Sequence, residues 1–261
     1  MAVIVDCFKQ GALRLRADKI RLALFLFYVG FTVFSSVYFF IGGFVRNGFL
    51  PILYALLFVT VLCVFEYFLK MKCSSIFLII VFAIPVGGIL GSCFDFYILI
   101  PDLDNILHGL SGFIFAALGF SLTMALFRRN DGKYFTANLM FGTAFSLGLA
   151  TLWELFEWGL SAITGSDMLE DTTVHEIRSY LLSGSHNSTV DLFNIEKTQI
   201  FYDGGKMYEI EGYMDLGGLD SLLDMAVCLA GAVIFIVLAI ISRRVSNKAL
   251  HCFIPALDND E

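Results

Sequence analysis

Six long runs of apolar residues, separated by short charged links, account for most of the chain. They cover Leu22 to Phe44, Pro51 to Leu69, Ser75 to about Phe94, Ile106 to Phe127, Phe135 to about Ile163 and Asp220 to Ser242. Runs of about 20 apolar residues are long enough to cross a hydrocarbon core as helices. Inside the second run Glu66 precedes Lys70 by one helical turn, a spacing that predicts a local ion pair. The stretch from Gly165 to Gly218 breaks the pattern, being polar and too long for a plain connector. Within it, Asp171 to Leu182 is expected to hold a short helix. Thr198 to Tyr202 and Met207 to Ile210, joined through Asp203-Gly204-Gly205, predict a β-hairpin. The expected fold is an all-α integral membrane protein: a six-helix transmembrane bundle with a small α/β extracytoplasmic cap between spans five and six. Residues 1–164 would carry spans one to five, 165–218 the cap, and 219–261 span six with a cytoplasmic tail.

Composition agrees with this class. Hydrophobic residues make up 58% of the chain and aromatics 15%, and the mean hydropathy is +0.79, more apolar surface than a soluble domain can bury. The net charge of −7 and the pI near 5.1 exclude nucleic acid as a partner. Positive charge gathers at alternate links: Lys9 to Arg21, Lys70 and Lys72, Arg128-Arg129 with Lys133, and Arg243-Arg244 with Lys248. Cytoplasmic loops are enriched in Lys and Arg, so both termini are expected in the cytoplasm, in a bacterial inner (plasma) membrane. The basic start has no small-residue cleavage pattern and is expected to be retained. Cys7, Cys63, Cys73, Cys93, Cys228 and Cys252 are scattered without metal-ligand spacing and imply no disulfide framework.

Three spans carry acidic or acidic–imidazole pairs at helical spacing: Asp104 with His108, Glu154 with Glu157 inside Trp153 to Trp158, and Asp220 with Asp224. His108, Glu154 and Asp224 each lie about 20 residues, or roughly 30 Å of helix, from the basic flanks at Arg128, Lys133 and Arg243. All three therefore fall near the outer boundary of the bilayer, with Asp104, Glu157 and Asp220 about one turn further out. Ionised groups at membrane depth are costly unless compensated, and clustered carboxylates cannot all ionise unpaired. A divalent metal ion, zinc, manganese, iron or magnesium, would compensate them. The bland alternatives are N-capping for Asp104 and Asp220, solvation for Glu157 and a core role for His108. Trp153 and Trp158 are expected to anchor the outer interface. Gly109, Gly112, Gly119, Gly142, Gly148, Gly159, Gly231 and Ala232 are expected at close helix crossings.

At Asp104-x-x-x-His108-x-x-x-Gly112, Trp153-Glu154-x-x-Glu157-Trp158 and Asp220-x-x-x-Asp224-Met225 with Gly231-Ala232, the chain resembles the YjdF-like bacterial membrane-spanning proteins. It is also similar, more distantly, to the VanZ-like membrane proteins. The resemblance covers most of residues 95–235 and departs at Leu103, where the family tends to have an aromatic residue. It implies a multispan bundle and marks the same residues as the site, without implying a substrate.

The residues suggest metal-dependent chemistry at the outer face on a lipid or lipid-linked substrate, with His108, Glu154 and Asp224 as ligands or acid/base groups. No Ser or Cys nucleophile has a convincing base beside it. Two other readings use the same features. Proton- or cation-coupled transport or sensing would employ the intramembrane carboxylates, and a non-catalytic scaffold would bind a partner, of unknown identity, through the outer loop. Membrane lipids are partners under all three.

Overall fold

A computed structural model describes residues 2–100, 102–127 and 133–257. The basic turn expected at 128–132 and Pro101 lie outside the described residues, as do the side chains of Cys7 and Lys248. The elements in order are α1 (Ala2–Ala17), α2 (Lys19–Ile41), α3 (Val45–Cys63) extended by a π-helical stretch (Val64–Phe68), β1 (Met71–Lys72), α4 (Ser75–Phe94), α5 (Phe96–Leu99), α6 (Leu103–Phe127) and α7 (Phe135–Thr164). Then follow β2 (Thr172–Val174), β3 (Ile177–Ser179), α8 (Tyr180–Ser183), β4 (Val190–Leu192), β5 (Lys197–Tyr202), β6 (Lys206–Glu211), β7 (Tyr213–Asp215), α9 (Gly218–Val245), α10 (Asn247–Leu250) and β8 (Ala256–Leu257). Among the described residues six helices are long and apolar enough to cross a membrane: α2, α3 with its π extension, α4, α6, α7 and α9. They coincide with the six apolar runs, and the strands fall between spans five and six apart from the pair β1 and β8.

The chain forms two compact units, one of residues 1–150 with 225–261 and the other of residues 151–224. In the first, α6 is the most buried span. Phe77, Phe120, Phe235 and Met71 are fully buried in its core, and the rings of Phe113 and Phe120 meet Phe235 edge-on at 5.5 and 6.0 Å. Helix starts are set by side chains that satisfy otherwise orphaned N–H groups. Asp18 accepts from the Ile20 and Arg21 amides to open α2 and also from the Ser75 hydroxyl. Ser74 accepts from Phe77 N to open α4 and donates to the Cys252 carbonyl.

This end of the bundle is tied together by charge. Arg21 Nη1 lies 2.7 Å from both Glu66 oxygens, Arg14 Nη1 lies 3.5 Å from Glu66 Oε1, and Cys73 N donates to the same oxygen. Arg21 and Arg14 also donate to the Cys73 and Met71 carbonyls, and β8 pairs antiparallel with β1. The expected Glu66–Lys70 pair is therefore replaced by a long-range one. The chain leaves helical geometry through the π turn, closed by Leu69 N to Val64 O, and Lys70 takes a positive φ of 52°. The i, i+4 relation that would bring the two side chains together is lost.

In the second unit three two-stranded antiparallel ribbons pair β2 with β7, β3 with β4 and β5 with β6. The expected hairpin is present as β5–β6, with Tyr202 opposite Lys206 and positive φ at Asp203, Gly204 and Gly205. Such angles cost glycine little, which is why the turn falls there. The short helix expected within Asp171 to Leu182 is confined to the end of that stretch, as α8. The strands β2 and β3 take half of it. The β-branched residues Thr172, Thr173, Val174 and Ile177 favour the extended backbone, which β7 and β4 then pair.

Candidate functional site

Asp104 and His108 open α6, one turn apart, because the helix starts at Leu103 and carries its polar residues in its first turns. His108 Nε2 lies 3.7 Å from Asp104 Oδ2, with the side chains 11% and 23% exposed. The other edge of the ring faces α9. Cys228 Sγ is 3.1 Å from the His108 carbonyl oxygen and 3.9 Å from Nδ1.

Glycines make that approach possible. A Cβ on Gly112 would lie 2.6 Å from the Cys228 carbonyl carbon and closer still to its oxygen. A Cβ on Gly231 would lie 2.8 Å from the Gly109 carbonyl carbon. α6 and α9 therefore meet backbone to backbone, as small residues permit in lipid. α7 joins at the same level, where the buried Ser146 hydroxyl donates to the Gly112 carbonyl at 2.9 Å. Gly119 and Gly142 are likewise enclosed, by Phe145 and by the Ala116 and Phe120 backbone. Gly148 and Gly159 face open space, with nothing within 4 Å of where a Cβ would stand, and are not crossing residues, a correction to the sequence expectation.

The second unit carries the remaining candidates on the end of α7 and the start of α9. Glu154 is buried at 7% exposure and Glu157, one turn on, is half-buried. Asp224 is buried at 3% and Asp220, one turn earlier, is half-buried. Asp220 lies inside the first turn of α9, and the capping acceptor is Asp215, whose Oδ2 receives Leu219 N at 2.6 Å. Trp158 is 62% exposed, while Trp153 packs at 5.4 Å on Phe156. Nearby, partial desolvation first, and then the Asp167 and Asp215 carboxylates, hold the Asp171 carboxyl above its usual range.

The structure thus joins Asp104 directly to His108 and places Glu154 with Glu157, and Asp220 with Asp224, one turn apart on their own helices. Carboxylate and imidazole groups that could hold a metal ion are present on these helices. Cys228 and Ser146 escape sequence reasoning, although a signal existed for the first. Cys228 stands one turn after Asp224 as His108 stands one turn after Asp104.

Six apolar helices with carboxylates and an imidazole at their ends define a multispan helical membrane protein. The chain belongs to the family described as "Predicted membrane protein (DUF2238)", whose model matches residues 20–245. No curated protein and no solved structure matches it.

Proposed function

We propose that the protein is a metal-dependent membrane enzyme whose His108, Glu154 and Asp224 hold a divalent ion near the outer membrane face, and which acts on a lipid or lipid-linked substrate. The observation that carries this reading is the convergence of three helices at Gly112. Gly112 meets the Cys228 backbone of α9 and receives the Ser146 hydroxyl of α7. Counted outward along each helix from that level, His108 and Asp224 are one turn away and Glu154 about two, or roughly 6 and 12 Å. Side chains lean toward the N-terminus of their own helix. α6 and α9 start at the outer end, so His108 and Asp224 lean outward. α7 ends there, so Glu154 leans inward along its own helix.

Gathered in one site, the five carboxylates and one imidazole of these helices would need compensating charge. A divalent cation provides it, and the donor set of oxygens with one nitrogen suits zinc, manganese, iron or magnesium. Such an ion, when bound, supplies Lewis acidity toward a phosphoryl or carbonyl oxygen and toward water. The chain's own groups would do the rest. His108, Glu154 and Asp224 bind, while Asp104, Glu157 and Asp220, a turn further out, complete the shell or take a proton from the attacking group.

The same reading puts the chain in a bacterial inner membrane with both termini cytoplasmic. Support comes from the basic residues Arg14, Arg16, Lys70, Lys72, Arg243 and Arg244, which flank the inner ends expected for the spans. Elemental analysis of purified protein in lipid nanodiscs tests the proposal. A stoichiometric divalent metal is expected in the wild type and is lost on Glu154→Ala or Asp224→Ala. Folded wild-type protein that takes up no zinc, manganese, iron or magnesium refutes it.

A further inference from the structure

The first span turns its hydroxyls inward. The buried residues of α2 are Tyr28, Thr32, Ser35, Ser36 and Phe39, and spacings of one helical turn put them on one face. The four that bear hydroxyls are 2%, 8%, 0% and 6% exposed. Among the described residues none of these four oxygens has a hydrogen-bond partner of accepted geometry, although the Tyr28 hydroxyl stands beside that of Thr32. A helical serine or threonine can satisfy itself by donating to the carbonyl one turn back. This chain does so at Thr60, Thr143 and Thr164, which donate to the Leu56, Leu139 and Leu160 carbonyls. The equally buried Thr123 donates to the Phe120 carbonyl. The α2 hydroxyls do not, and a buried hydroxyl left unpaired in a membrane span is costly.

This face lies among three helices. Tyr28 packs at 5.4 Å on Phe58 of α3 and at 5.1 Å on Phe82 of α4. About three turns further along α2, Phe39 packs at 4.9 Å on Phe94 of α4. The hydroxyls therefore stand between two aromatic clusters. Residues 22–45, 47–65 and 73–94 contain no charged side chain, so an ion would find no compensating charge along these spans. A neutral occupant is required. Positions one turn apart on a helix face have Cβ atoms about 5–6 Å apart. That is too far for one hydrogen bond and matches two of about 2.8 Å end to end, joined at one water oxygen. Each hydroxyl offers one proton and accepts at its oxygen, and internal water settles where about 2–4 such partners meet. We propose that α2, α3 and α4 enclose a hydration site in which ordered water bridges the hydroxyls of Tyr28, Thr32, Ser35 and Ser36.

The test uses full-length protein in lipid bilayers, with labelled serine and threonine in a deuterated background, and reads the solid-state NMR magnetisation passed from water to each site. Transfer at Thr32, Ser35 and Ser36 is expected to be several-fold above that at Thr123, which is as buried but bonded within its own helix. Thr32→Val keeps the side-chain shape and removes the hydroxyl, and transfer at Ser35 and Ser36 should fall with it. Thr32→Ser restores the hydroxyl and should restore the transfer. Wild-type transfer at these three residues no greater than at Thr123 overturns the proposal. Strong transfer at Ser35 and Ser36 that is indifferent to Thr32→Val also overturns it, because the hydroxyls then hold no water in common. Should Thr32→Val fail to fold, Ser36→Ala, read at Thr32 and Ser35, decides by the same criterion.

Discussion

A single methyl group added at Gly112 would have to displace backbone. Its carbon would lie 2.6 Å from the Cys228 carbonyl carbon and 2.7 Å from its Cα, with the oxygen nearer still. Carbon–oxygen contacts settle near about 3.3 Å, so α6 and α9 must part by roughly 1 Å at the crossing. No flexible side chain can absorb the change. Gly→Ala inside a helix by itself favours the folded state by about 0.5–1 kcal/mol, whereas overpacking costs about 1–3 kcal/mol and sometimes more. A parted crossing also forfeits a quarter to a half of each dispersion contact along it, at a gap of roughly 0.5–1 Å. The expected balance for Gly112→Ala is a loss of about 2 kcal/mol or more. Gly148→Ala is the control, because nothing lies within 4 Å of its added carbon. It should be neutral or stabilise by up to about 1 kcal/mol. Both can be measured by SDS-induced unfolding in mixed micelles, followed through the fluorescence of Trp153 and Trp158, the two tryptophans of the chain. If Gly112→Ala unfolds at the same SDS fraction as Gly148→Ala, the backbone-contact argument fails.

Two further expectations concern the other end of the spans. Glu66→Gln leaves Arg21, now 2.7 Å from both carboxylate oxygens, and Arg14 without their shared anion; with the Glu66 and Arg21 side chains 13% and 11% exposed, the loss should be about 3 kcal/mol in the same unfolding assay. An unchanged midpoint would mean that the Arg–Glu knot is dispensable. His251, in the segment leading to β8, is held below its usual pKa by burial. Its unfolded form takes up protons more readily than its folded form, so its contribution is full above about pH 6.5 and is lost as pH falls through the lower folded value. Amide exchange at Met71 and Lys72, which pair with β8, should accelerate on acidification below that pH. In His251→Asn this acid-induced component should disappear, and its persistence would assign the effect elsewhere.

Span count, the hairpin and the carboxylate pairs were legible because each depends on local properties. Transfer of apolar side chains to lipid acts residue by residue, so runs such as Ser75 to Phe94 announce their own helices. Helical spacing likewise puts Asp104 beside His108 without reference to any other segment. What the chain alone left open are choices among distant partners. Glu66 has Lys70 four residues away, yet binds Arg21, because the π turn removes the local geometry and α2 supplies a half-buried guanidinium. Thr172 to Ser179 contains residues that read as a helical segment until β7 and β4 offer strands to pair with. The glycines of α6, α7 and α9 look alike in sequence, and only packing separates Gly112 and Gly231, pressed on backbone, from Gly148 and Gly159 in open space. Cys228 shows the same division most sharply. Hydropathy records it as one more apolar residue, while its place against His108 exists only because two helices cross at glycines far apart in the chain.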